Sequence, residues 1–144
     1  MKIKKLHDKA ILPHYATDGA SAFDLFCYEE IDWRWTCDRY WSAIIPTGWA
    51  FEIPKEHGMF ILSRSGYGFK NDTTLANSVG LLDFDYRGEC IVKLICFDDI
   101  YPKIRVGQAI AQVAILHTPR QYFEVVDELS NTNRGSNGFG STDK

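Results

Sequence analysis

The stretch Cys90-Ile91-Val92-Lys93-Leu94-Ile95-Cys96-Phe97 decides what kind of fold this chain adopts. It is a short apolar run, too brief to hold a helical period over ten or more residues, and it reads as a strand. Even offsets share a strand face, so Cys90 and Cys96 lie on one side, where free cysteine packs as a small hydrophobe rather than forming a disulfide with its neighbour. The same reading extends outward to residues 109–116 (AIAQVAIL), and to 1–6, 44–53, 58–62 and 122–126. Pro13, Pro46, Pro54, Pro102 and Pro119 punctuate these runs, and none carries a helical repeat. The expectation is therefore an all-β sandwich, jelly roll or barrel with at most one short helix, following Ser65. Residues 31–37 alternate apolar (Ile31, Trp33, Trp35, Cys37) with polar (Asp32, Arg34, Thr36), the period of a half-buried strand. With Trp41 they form an aromatic group that reads as core or subunit contact and is assigned no chemistry.

At 144 residues the chain is expected to be one domain over 1–132 with a C-terminal arm over 133–144. Hydrophobic content of 45% and charged content of 24% describe a folded protein rather than a disordered one. The formal net charge of −3 argues against a broad nucleic-acid face and leaves room for a local basic pocket. The N-terminal MKIKKLHDKAILPHY lacks a signal-peptide apolar core, and no apolar run reaches membrane-span length, so the reading is cytoplasmic with no membrane partner. The four cysteines, Cys27, Cys37, Cys90 and Cys96, form no CxxC pair, which argues against zinc. His7, His14, His57 and His117 are scattered and read as solvated or structural.

Four segments carry chemistry-bearing residue types. Asp83 and Asp85 in LLDFDYRG share one face if the segment is a strand, and each then raises the other's cost of ionising, as a general base near neutral pH requires. The same letters also read as a turn over Asp85-Tyr86-Arg87-Gly88. Arg64-Ser65-Gly66 supplies a cation, a hydroxyl and a glycine amide, which hold a phosphate or merely shape a surface turn. Gln112 is polar inside an apolar strand and needs a partner, either backbone or ligand. The tail Arg134-Gly135-Ser136-Asn137-Gly138-Phe139-Gly140-Ser141-Thr142 combines a guanidinium, glycines and hydroxyls, and reads either as a lid over an anion or as a disordered glycine-rich terminus.

Taken together and in order, these segments resemble the five motifs of the trimeric dUTPases over nearly the whole chain. The first is Gly19-Ala20-Ser21-Ala22-Phe23-Asp24-Leu25, the second Arg64-Ser65-Gly66, and the third runs from Asn77 through Gly80 to Gly88. The fourth spans residues 107–112 and the fifth is the tail. The sequence departs from that pattern at Ser63, at Ala109 where a basic residue is usual and Arg105 is nearby, at Asn137, and at Asp143.

The resemblance implies a distorted jelly-roll (β-clip) subunit, assembled as a homotrimer whose three active sites each draw motifs from more than one chain. It implies hydrolysis of dUTP to dUMP and pyrophosphate. Asp83 would be the catalytic base, activating water for in-line attack on the α-phosphorus. Asn77, Gly80 and the backbone around them would receive uracil, and Tyr86 would pack on the deoxyribose and exclude a 2′-hydroxyl. Arg64, Ser65, Gly66 and Gln112 would hold phosphates. Arg134 would reach the γ-phosphate, Phe139 would cover uracil, and Gly140, Ser141 and Thr142 would complete the closing arm. Mg²⁺ would be the cofactor, with Asp24 an outer-sphere contact. Two rivals stand beside this reading. One is a dCTP deaminase of the same fold, whose Ser-Ser second motif and later glutamate motif are not found here. The other is a dUTP-gated regulatory binding protein using residues 33–41.

Overall fold

A computed structural model describes residues 1–36 and 39–138, and these form eleven strands and one helix. The strands are β1 (Lys2–Lys5), β2 (His14–Tyr15), β3 (Phe23–Phe26), β4 (Arg34–Thr36), β5 (Tyr40–Pro46) and β6 (Trp49–Glu52). After them come β7 (His57–Leu62), α1 (Ser65–Asn71), β8 (Thr73–Leu75), β9 (Gly80–Leu82), β10 (Ile91–Cys96) and β11 (Ala109–His117). A five-stranded sheet runs in the order β2-β3-β11-β7-β9, a four-stranded sheet in the order β4-β5-β10-β8, and β1 pairs with β6. All of these pairings are antiparallel.

The core forms where the two larger sheets pool their apolar faces. Leu25, Met59, Ile110 and Val113 from one sheet, and Ile45, Val92 and Leu94 from the other, are fully buried in a single cluster. In β10 the two-residue period is plain: Val92, Leu94 and Cys96 are buried and Ile91 and Lys93 exposed. Cys90 is buried with them, so the two cysteines six apart share a face and remain free. Burial pushes the Cys90 thiol up to about 12.

The single helix among the described residues lies where it was expected. Arg64 holds an extended backbone just before it, Tyr67 is its buried side chain, and Asp72 ends it in the left-handed region at φ 47°, its amide donating to the Gly68 carbonyl.

Three expectations fail for identifiable reasons, and one open alternative is decided. Residues 44–53 are not one strand, because Pro46, Thr47 and Gly48 break it, with Gly48 at φ 74° where its missing side chain also lets Ala10 approach. Residues 122–126 form no strand: Tyr122 is 92%, Phe123 96% and Val125 98% exposed, since strand-forming side chains need a neighbouring edge and this segment meets none in its own chain. The alternation at 31–37 yields only the three-residue β4, and Cys37 and Asp38 lie outside the described residues. Trp33 is buried before that strand begins, its indole donating to the Pro102 carbonyl at 2.7 Å, whereas Trp35 is half exposed against Trp41. The alternative left open at Asp83 and Asp85 is decided in favour of a turn, because β9 stops at Leu82. The turn that follows closes through the Tyr86 amide to the Asp83 carbonyl at 3.1 Å, three residues away, so Asp83 and Asp85 are turn residues and do not share a strand face. The turn also begins two residues before the Asp85-to-Gly88 alternative, and it links strands of different sheets.

Candidate functional site

Three strands of the five-stranded sheet converge on one cleft. β7 delivers Ser63 and Arg64 from its C-terminal end, β11 presents Gln112, and β3 brings Asp24 opposite Gln112 in register. Asp24 is buried, and its Oδ1 accepts from Arg64 Nε at 2.8 Å. A second guanidinium nitrogen of Arg64 reaches the Ala109 carbonyl at 3.4 Å. The carboxylate thereby fixes one edge of the guanidinium, while the arginine side chain, 27% exposed, lines a cleft of about 830 Å³ together with Ser65 and Gln112. The amides of Ser65 and Gly66 open the helix and have no intrahelical acceptor.

Gln112 finds its partner in the backbone, its Nε2 donating to the Ser63 carbonyl at 3.0 Å. Ser63 itself matters more than its sequence position indicated. Its hydroxyl accepts the Leu75 amide at 3.1 Å and lies 3.3 Å from Thr74 Oγ1, tying the end of β7 to β8 of the other sheet. No local pattern distinguishes such a serine from a surface one.

Asn77 and Gly80 line a separate cavity of about 290 Å³ with Ile61 and Leu75. Gly80 pairs with Ile61 across β7 and β9, and a methyl there would come within 3.0 Å of the Ile61 Cβ. The backbone at this cavity is sharply folded: Ser78 sits at φ 61° and the Val79 amide donates to the Asn77 carbonyl at 2.6 Å.

Asp83 and Tyr86 stand on the exposed turn beyond and line neither cavity. The Tyr86 hydroxyl donates to the Glu89 carbonyl at 3.1 Å, laying the ring over Gly88 so closely that a side chain at 88 would overlap it. Arg87 donates to the Phe84 and Tyr86 carbonyls at 2.7 and 2.9 Å and holds the turn from within. Arg134 also serves its own segment, Nε donating to the Asn137 carbonyl at 2.9 Å in a turn where Gly135 takes φ 55°. Phe139, Gly140, Ser141, Thr142 and Asp143 lie outside the described residues.

The expected site residues therefore fall into separate groups within one chain: Asp24, Arg64, Ser65 and Gln112 at the first cleft, Asn77 and Gly80 at the second, and Asp83 with Tyr86 on the turn. Against this geometry, the sequence model described as dUTPase matches residues 8–143. The chain belongs to the dUTPase family. It is 44% identical over 142 residues to the deoxyuridine 5'-triphosphate nucleotidohydrolase of a Hydrogenobaculum species, covering 97% of this chain and 95% of that one. It is 40% identical over 144 residues to the protein of the same name from Nautilia profundicola, covering 100% and 99%. The dUTPase of Staphylococcus bacteriophage 80alpha, solved with dUPNHPP, superposes with a TM-score of 0.81 at 22% identity over 97% of this chain and 96% of that one, a likeness of fold. As a dUTPase the chain is an enzyme of nucleotide metabolism.

Proposed function

We propose that the chain hydrolyses dUTP to dUMP and pyrophosphate, Asp83 accepting a proton from the water that attacks the α-phosphorus in line. The observation that carries this reading is the Asp24-held Arg64 beside Ser65 and Gln112 in one cleft of a dUTPase-family chain. An arginine with one edge engaged by a buried carboxylate presents its remaining donors in a fixed direction, the arrangement that suits phosphate oxygens. The free amides of Ser65 and Gly66 add neutral donors beside it.

The subunit is a distorted jelly roll in this reading, and the working form is a homotrimer. Support comes from the dispersal of the expected residues: Arg64, Ser65 and Gln112 line one cleft, Asn77 and Gly80 line another and Asp83 lines neither, an arrangement that neighbouring copies would complete by contributing different parts. Asn77 and Gly80 receive uracil, the Tyr86 ring takes the volume a ribose 2′-hydroxyl needs, and the arm over 133–144, with Arg134, Phe139, Gly140, Ser141 and Thr142, closes over the triphosphate and excludes water. The net charge of −3 favours free nucleotide over a polymer, and the cytoplasm is the place of action in this reading.

The donor set fits a metal ion held chiefly by its ligand. Among the described residues no three His, Cys, Asp or Glu side chains are grouped to cage one, and Asp24 already gives one oxygen to Arg64. Asp24, a lone and partly engaged carboxylate, would hold Mg²⁺ only through an outer-sphere contact. When bound there, the ion would neutralise phosphate charge.

Pyrophosphate release tests the assignment, comparing dUTP with dCTP, dTTP and UTP, with Mg²⁺ and with chelator. Turnover confined to dUTP and lost with chelator is the expected result, and equal turnover of dCTP or UTP would overturn it. A second reading, a dUTP-gated binding protein, draws on the exposed aromatics Trp35, Phe97 and Tyr101 at one flank of the four-stranded sheet. Tight dUTP binding without turnover in the same assay would favour it.

A further inference from the structure

At the end of the five-stranded sheet away from Arg64, β7 and β11 carry a pair of imidazoles that the nucleotide site does not use. His57 and His117 are direct cross-strand partners, sixty residues apart in sequence, with ring centroids 5.2 Å apart and planes inclined by 54°. The next pair along, Glu56 with Thr118, is hydrogen-bonded, the Thr118 amide donating to the Glu56 carbonyl at 2.6 Å. In an antiparallel ladder the two kinds of pair alternate, so His57 and His117 form a non-hydrogen-bonded pair, the kind whose side chains stand closest.

The protonation of one ring is set by its neighbour. His57 Nδ1 lies 2.8 Å from the Lys55 carbonyl oxygen, which only accepts, so in the neutral ring Nδ1 carries the hydrogen and Nε2 keeps its lone pair. A ring N–H donated to a backbone carbonyl is the arrangement that fixes the tautomer and orients metal-ligating histidines. The His117 side chain is 60% exposed, its Nε2 4.0 Å from Glu56 Oε2, and Glu56 is held at φ 58° where the chain turns into β7.

We propose that His57 and His117 chelate a divalent transition-metal ion of the zinc, nickel or copper class at the root of the C-terminal segment. Imidazole nitrogen selects these ions over Mg²⁺, so the site differs in chemistry from the one that serves the triphosphate. The ion takes two protein nitrogens, water completes its coordination, and the Glu56 carboxylate accepts a hydrogen bond from that water. Metal bound here ties β7 to β11 at the last strand pair before residues 118–138, which form no strand. Because the unfolded chain does not hold the two histidines together, binding favours the folded state.

The test uses the full chain stripped with chelator, in a non-coordinating buffer. Calorimetric titration with Zn²⁺ and with Ni²⁺ should saturate at about one ion per chain and persist in excess Mg²⁺, and Zn²⁺ should raise the unfolding temperature. His57→Gln and His117→Gln should each weaken binding at least about tenfold, whereas His7→Gln and His14→Gln leave it unchanged. Hydrolysis of dUTP with Mg²⁺ should be the same in His57→Gln as in the parent, so this result and the nucleotide assignment stand or fall separately. Parent-like affinity in either pair variant, or no saturation below about millimolar metal, overturns the proposal. Should either variant fail to fold, imidazole NMR of the parent chain decides: Zn²⁺ must shift the His57 and His117 resonances and spare those of His7 and His14, and any other pattern overturns it.

Discussion

The Arg64 cleft and the turn after β9 are two parts of one proposed site, and they are held in opposite ways. Arg64 is positioned by Asp24, forty residues away in sequence, and Gln112 by Ser63, forty-nine away. The turn needs no such reach. Tyr86 bonds to Asp83 and Glu89, and Arg87 to Phe84 and Tyr86, all within three residues. The first region is organised by the packed sheet and the second by its own local chemistry. Damage to the cleft should therefore cost stability and activity together, while damage to the turn should cost activity alone.

The largest expected effect tests the turn. Asp83→Asn should lower single-turnover hydrolysis of dUTP by about 10²–10⁴-fold with the denaturation midpoint unchanged, because the side chain is exposed and the turn is held by backbone groups. A loss under tenfold would remove Asp83 as the base. Asp24→Asn tests the other half. It leaves Arg64 without its charged partner in a buried setting, and unfolding in urea should show a loss of about 1–3 kcal/mol together with a raised KM for dUTP. A raised KM at full stability would erase the contrast between the regions.

Smaller effects sharpen the comparison. Tyr86→Ala, and Gly88→Ala by displacing the same ring, should each reduce the ratio of kcat/KM for dUTP over UTP by about tenfold without altering preference over dCTP. If only Tyr86→Ala does so, the ring position is not set by Gly88. The smallest concerns the helix beside the cleft. The Tyr67 hydroxyl is buried without a hydrogen-bond partner, and burial pushes its ionisation up to about 12. An unfolded tyrosine ionises near 10, so the folded state holds the proton longer, and the contribution is complete below about pH 10 and lost as pH rises towards 12. Tyr67→Phe should leave stability at pH 7 equal or higher by up to about 1 kcal/mol and flatten that alkaline decline, measured as urea midpoints between pH 9 and 12.

Much of this was legible in the letters. Runs such as residues 90–97 and 109–116 became β10 and β11 because a two-residue period and β-branched side chains specify a strand wherever an apolar layer exists to receive them. The ordered segments around Asp24, Arg64, Asp83, Gln112 and Arg134 carried the family, since their spacing is a property of the chain itself. Local reading failed where a neighbour decides. Residues 122–126 have the composition of a strand and no edge to join, and the choice between strand face and turn at Asp83 and Asp85 stayed open until the position of the turn was known.

The all-β class, the buried faces of the long strands and the residue types available for nucleotide chemistry follow from the letters, because each depends on local composition and on intervals of a few residues. Tertiary structure alone decided that Asp24 holds Arg64, that Ser63 joins the two sheets, and that His57 stands against His117. Those contacts depend on which strands become neighbours and in what register, and a shift of one residue would turn each of these side chains to the opposite face.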